Sequence, residues 1–202
     1  MCLYNPFTDM RLLKIPALSS MLAWTALGAA PAVHAADASS TQVERVSLTA
    51  APNAPALDSS LPLADRIVVR KSERRLFLLR GSSVLRSYRV ALGLNPVGQK
   101  ERAGDFRTPE GNYVLARRNP RSDYFLSIEV SYPNEKDLRR ARRNHWNAGG
   151  LIMLHGMPNQ PRMGPEYYET NDWTDGCIAL SDADMLEIWL LSRDSMPIEI
   201  LP

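Results

Sequence analysis

Gly149-Gly150-Leu151-Ile152-Met153-Leu154-His155-Gly156 decides how this chain is read. Four consecutive large apolar residues lie between glycine pairs and a histidine-glycine. The run is too short for a buried helix and has no alternation, so it predicts a central strand buried on both faces. Outward from it, strand signals dominate. Arg66 to Arg70 is a short β-branched run. Leu76 to Leu79 and Val84 to Leu92 flank Arg80-Gly81-Ser82-Ser83, which predicts a hairpin. Asn112 to Ala116, Phe125 to Ser131 and Pro197 to Leu201 read as further strands. Helix signals are few. Asn134 to Asn144 is helix-compatible with Asn134 as N-cap. Ser181-Asp182-Ala183-Asp184 resembles a capping box with Asp in place of Glu, and it opens an apolar stripe at Met185, Ile188 and Trp189. Residues 157–168, with three prolines and two tyrosines, read as a loop over the site. The expected class is mainly β with one or two peripheral helices.

The 202 residues are 45% hydrophobic and 23% charged, which suits one domain with an ordinary core plus an appendage. Twenty-four Lys+Arg stand against 22 Asp+Glu, a net charge of +2 that gives no global argument for nucleic acid binding. Arg139, Arg140, Arg142 and Arg143 form a basic cluster. It reads as a solvated helix face, or else as an attraction for an anionic polymer.

The N-terminus has the layout of an export signal. Arg11 and Lys14 precede an apolar stretch from Ile15 to Ala30, and Val33-His34-Ala35 offers small residues for cleavage after Ala35. Met10 makes a more typical start than Met1. An uncleaved membrane anchor is the alternative, although the stretch is short and interrupted for one. Residues 36–63, rich in Ala, Ser, Pro and Thr, read as a flexible linker to a domain at 64–202. The expected location is the periplasm or cell envelope.

Removal of residues 1–35 takes Cys2 with it and leaves Cys177 as the only cysteine. A lone thiol in an exported protein is either a small buried hydrophobe or a reactive group. Reaction needs the thiolate, and imidazole is its usual source. Of the histidines outside the signal, His145 lies in a polar, arginine-rich stretch and reads as a surface residue. His155 ends the apolar strand, and Gly156 after it lets a substrate backbone approach. Gly176 before Cys177 suits a tight turn whose N–H groups converge on an oxyanion. Two histidines and one cysteine at no ligand spacing argue against zinc, and no cofactor is expected.

With these residues in place the chain resembles the L,D-transpeptidase catalytic domain family of the YkuD type. That family has a histidine-glycine after a strand and, later, Ser/Thr-His-Gly-Cys. Here His155-Gly156 is followed by Thr174-Asp175-Gly176-Cys177. Ala91-Leu92-Gly93, the run from Gly104 to Tyr113, and Ser131-Tyr132-Pro133-Asn134 are also similar to family segments, so the likeness spans roughly 65–201. The resemblance implies a β-sandwich-like mixed fold and a ping-pong reaction on peptidoglycan stem peptides. In that reaction Cys177 is nucleophile, His155 is base, and the Gly156 carbonyl orients the imidazole. The N–H groups of Asp175, Gly176 and Cys177 form the oxyanion hole. The partners implied are stem peptides and, as one acceptor, a wall-attached protein.

Two positions depart from the family pattern: Asp175 replaces a histidine and Ala179 an arginine. A carboxylate beside the thiol raises its pKa. The missing arginine leaves Arg107, Arg162 or no residue to hold a substrate carboxylate. Trp173 either lines the cleft or packs in the core. Three readings follow: transfer to an acceptor, hydrolysis on the same scaffold, and a wall-binding module with a vestigial site.

Overall fold

The computed structural model describes residues 62–202. The expected signal segment, and the linker up to residue 61, lie outside the described residues. Among the described residues eight strands form a single sheet in the order β3-β2-β1-β8-β4-β5-β6-β7. They are β1 (Arg66–Arg70), β2 (Arg75–Arg80), β3 (Ser83–Arg89), β4 (Gly111–Asn119), β5 (Ser127–Val130), β6 (Met153–His155), β7 (Ile178–Ala179) and β8 (Pro197–Leu201). Neighbours are antiparallel except β1–β8 and β6–β7, which run parallel.

Strand chemistry follows period-2 burial. Ile67 and Val69 in β1, and Ile198 and Ile200 in β8, point into the core while their neighbours do not. The sheet turns its corner at β4. Residues 111–114 pair with β8, the register then slips between Leu115 and Arg118, and the remainder pairs with β5. The two ends of the sheet therefore share one core, in which Ile67, Leu78, Leu115, Ile128, Leu154 and Ile178 are fully buried. This is the mainly-β architecture the sequence predicts, reached by one curled sheet.

Among the described residues three helices lie at the periphery: α1 (Glu135–Arg143), α2 (Pro165–Thr170) and α3 (Asp182–Leu191). Asn134 caps α1 in a full capping box with Asp137. Ser181 caps α3 by accepting from the Asp184 N–H at 3.1 Å, and Met185 and Ile188 anchor that helix in the core.

Three expectations are corrected. The 151–154 run is not a central strand. Leu151 is exposed with φ +57, pairing begins only at Met153, and β6 is the last strand but one. The central place goes to β8, between β1 and β4. The long strand from Val84 to Leu92 stops at Arg89, after which Ala91 makes only an isolated bridge to Ala179. The loop over the site contains the short helix α2, which Pro165 opens at N1.

Candidate active site

His155 is the last residue of β6, held between Ser127 of β5 and Ala179 of β7. Leu154 before it is in the core, and His155 faces the opposite side of the sheet. There it is also buried, under a second, aromatic layer. The Tyr124 ring is 4.6 Å from the imidazole centroid, and the Trp173 ring stands edge-on at 5.5 Å. Tyr168 continues the layer, 5.1 Å from Trp173.

The imidazole is oriented by its own chain. Nδ1 lies 2.7 Å from the Gly156 carbonyl oxygen. A carbonyl only accepts, so Nδ1 carries the proton and Nε2 presents its lone pair. Nε2 is buried with no partner. Desolvation lowers the pKa to about 4, opposed by the Gly156 hydrogen bond. The resting ring is neutral, the form a general base requires.

Cys177 comes one residue before β7, beside Met153 in the parallel register. Its side chain therefore shares a strand face with those of Ala179 and, across the ladder, His155. The Met153 N–H donates to Sγ at 3.4 Å, and the Leu151 carbonyl lies 3.6 Å from Sγ.

Thr174 builds the turn before Cys177. Its buried hydroxyl donates to the Cys177 carbonyl at 2.7 Å and accepts the Gly176 N–H at 3.1 Å. Gly176 has φ +125, and a Cβ there would meet the Arg107 carbonyl oxygen at 2.5 Å. Gly93 is packed as tightly, with a built Cβ 2.1 Å from the Phe106 carbonyl oxygen and 3.0 Å from the Gly176 Cα. The two glycines let three backbone segments stack behind Cys177. Asp172 ties this segment down by accepting from Arg74 at 2.8 Å and from the Leu92 N–H at 2.9 Å.

The structure thus gathers Cys177, His155, Gly156, Asp175, Gly176 and Trp173 at the β6–β7 end of the sheet. Other expectations change. The Gly176 N–H is committed to Thr174, which removes it from the three expected oxyanion donors. The Arg107 guanidinium turns away to the Gln99 carbonyl at 3.2 Å and to Glu101 at 3.7 Å, and only its backbone touches the turn. Arg162 sits in the exposed loop, where its N–H donates to the Tyr168 hydroxyl at 3.0 Å and its charge acts on Tyr124. His145 follows α1, exposed, with φ +55. Burial pushes the Asp175 carboxyl above its ordinary pKa, and its Oδ1 is buried with no partner.

A cavity of about 700 Å³ is lined in part by Trp173 and Ala179. Met157, Pro161, Met163, Tyr168, Trp173 and Ala179 give it apolar walls, and Arg89 and Asp184 contribute charge. Neither His155 nor Cys177 lines it. Ala179, opposite His155 in the ladder, links cavity and imidazole. Sequence reasoning missed Arg89, Tyr124 and Asp182. Arg89 ends a hairpin strand, and nothing in its local pattern sets it apart from the many surface arginines.

A sequence profile of the L,D-transpeptidase catalytic domain (YkuD) matches residues 64–200. The chain belongs to the L,D-transpeptidase catalytic domain family. The putative L,D-transpeptidase YafK of Escherichia coli K12 is 34% identical over 96 residues, which span 45% of this chain and 37% of that protein. The chain thus matches little more than a third of this curated relative's length. The YafK of E. coli O157:H7 matches to the same extent. Among solved structures, the helical cell shape determining protein Pgp2 of Campylobacter jejuni aligns with a TM-score of 0.51 at 23% identity. The alignment covers 68% of this chain and 47% of Pgp2, and it supports the fold. Members of this L,D-transpeptidase family act on peptidoglycan stem peptides.

Proposed function

We propose that this protein is a peptidoglycan L,D-transpeptidase that works through a thioester on Cys177. The observation that carries the reading is the His155 imidazole. It is neutral, oriented through Nδ1 by the Gly156 carbonyl, has an unpartnered buried Nε2, and sits one paired strand from Cys177. Nε2 takes the thiol proton. The thiolate attacks the carbonyl carbon of an L-centre–D-centre peptide bond in a stem peptide. The C–N bond breaks, the leaving amine receives the proton from imidazolium, and the acyl group stays on sulfur. An acceptor amine from a second stem or a wall-attached protein then attacks the thioester. His155 takes its proton, and the thiol is regenerated.

The cavity beside Trp173 supplies an apolar seat, and Arg89 supplies the positive charge for a stem carboxylate that Ala179 cannot provide. Residues 1–35 serve as the export signal and residues 36–63 as a linker that lets the domain reach the wall. The test is mass spectrometry of the enzyme after incubation with tetrapeptide stems. The expected result is an acyl adduct on the Cys177 peptide that is lost in His155→Ala. No adduct on the wild type sinks the thioester mechanism.

Hydrolysis on the same scaffold, as a carboxypeptidase or on a protein–wall linkage, is the second reading. It is favoured by the unpartnered Asp175 Oδ1 beside the nucleophile, an acceptor suited to holding a water. Product ratios at saturating amine acceptor separate the two. Cross-linked product supports transfer, and purely hydrolytic product supports the alternative.

A further inference from the structure

We propose that Asp182 is a positioning residue for His155, acting across the single peptide unit that joins Gly156 to Met157. The inference rests on the reading of His155 as the base for Cys177. The Met157 N–H donates to Asp182 Oδ1 at 2.7 Å, and the Gly156 carbonyl accepts from His155 Nδ1 at 2.7 Å. That N–H and that carbonyl belong to one planar amide. A hydrogen bond to the anion at one end strengthens the acceptor at the other, and it fixes the plane in which the imidazole must bond. The order is carboxylate, peptide, imidazole, thiol.

Two observations set this apart from an ordinary acid at a helix start. The first is room. A Cβ on Gly156 would lie 2.5 Å from Asp182 Oδ1 and 3.0 Å from the Phe125 Cβ, so the glycine makes the space the carboxylate occupies. The second is direction. The cap of α3 is supplied by Ser181, which accepts from the Asp184 N–H, while Asp182 Oδ1 reaches out of the helix to Met157. The helix start is also tied to the histidine through the Leu180 N–H, which donates to the His155 carbonyl at 2.9 Å. Asp182 is thus held in register with the imidazole by α3 and by the ladder.

The other titratable groups around the imidazole come from different elements. Tyr124 precedes β5, and Asp123 and Arg162 act on it. Asp175 and Cys177 belong to the turn before β7, and Tyr168 belongs to α2. Asp182 is the carboxylate that the described hydrogen bonds join to the ring.

The test uses the full chain under reducing conditions and needs no substrate. The rate of iodoacetamide alkylation of the Cys177 peptide is followed against pH by mass spectrometry. His155 tautomers are read by 15N NMR. Asp182→Ala and Asp182→Asn are compared with the wild type, with thermal melts on each. Asp182→Ala should slow alkylation near pH 7 roughly tenfold, move the midpoint of the pH profile upward, and reduce the Nδ1–H tautomer. Asp182→Asn keeps an oxygen facing Met157, so it should retain that tautomer and recover most of the rate. A wild-type profile and tautomer in Asp182→Ala overturn the inference. So does an equal loss in both variants that tracks a fall in melting temperature, the signature of a purely structural role. Failure of the peptidoglycan reading shows differently, as a wild-type enzyme that forms no stem adduct while its alkylation profile stays sensitive to Asp182.

Discussion

His155 is buried on a face where most sheets would place an apolar side chain. Its ionisation therefore opposes folding. The folded pKa, about 4, lies below the ordinary 6.5, so the folded state binds fewer protons between those values. The stability this represents is complete above about pH 6.5 and is lost as pH falls toward 4. In urea unfolding from pH 7 to pH 4, the wild type should lose on the order of 3 kcal/mol more than His155→Ala. Gly176 is constrained by both backbone angle and space. Gly176→Ala sets a methyl against the Arg107 carbonyl, and thermal or urea melts should register a loss of at least about 2 kcal/mol. Arg89 is the arginine of the cavity wall. Arg89→Ala should raise KM for carboxylate-bearing stems roughly tenfold with kcat little changed, as steady-state kinetics will register. At this scale the sequence marked His155, Gly156, Gly176 and Cys177 as candidates, because glycine and histidine next to a strand or a thiol carry local chemical meaning. It did not reveal that the Gly176 N–H is taken by Thr174 or that the Arg107 guanidinium turns away. Side-chain direction depends on neighbours remote in sequence.

Turns and strand ends carry the site. The segment from Thr174 to Cys177 is closed by one buried hydroxyl that serves two backbone groups. Thr174→Val keeps the shape and removes both hydrogen bonds, leaving the Gly176 N–H without its acceptor. A loss of about 2 kcal/mol is expected, together with slower adduct formation on Cys177. Thr174→Ser should restore both, which melts and mass spectrometry can check in parallel. Among the elements, β1, β8, the β2–β3 hairpin and the cap of α1 were readable because their signals are local: alternation, a glycine turn, an asparagine before a helix. The strand β6 was misplaced. An apolar run reports burial, and burial here comes partly from loops. Ile152 is buried although it precedes the paired strand, and Leu151 is exposed at positive φ.

The whole molecule depends on its C-terminal strand. β8 sits mid-sheet, parallel to β1 and antiparallel to β4, with Ile198 and Ile200 in the core. Ending the chain at Met196 should open two strand edges at once and abolish the cooperative unfolding transition seen by circular dichroism. The same long-range order makes the site. Cys177 and His155 come to neighbouring strands because β6 and β7 pair in parallel at the far end of a sheet whose corner is a register slip in β4. From sequence alone came the strand-rich class and the family, and with them the proposal of Cys177 as nucleophile and His155 as base. Each of these follows from residue type and short-range pattern. Which strand is central, which groups face the imidazole, and the carboxylate behind it were decided by tertiary structure. They depend on pairings between segments far apart in the chain, and no local propensity encodes those.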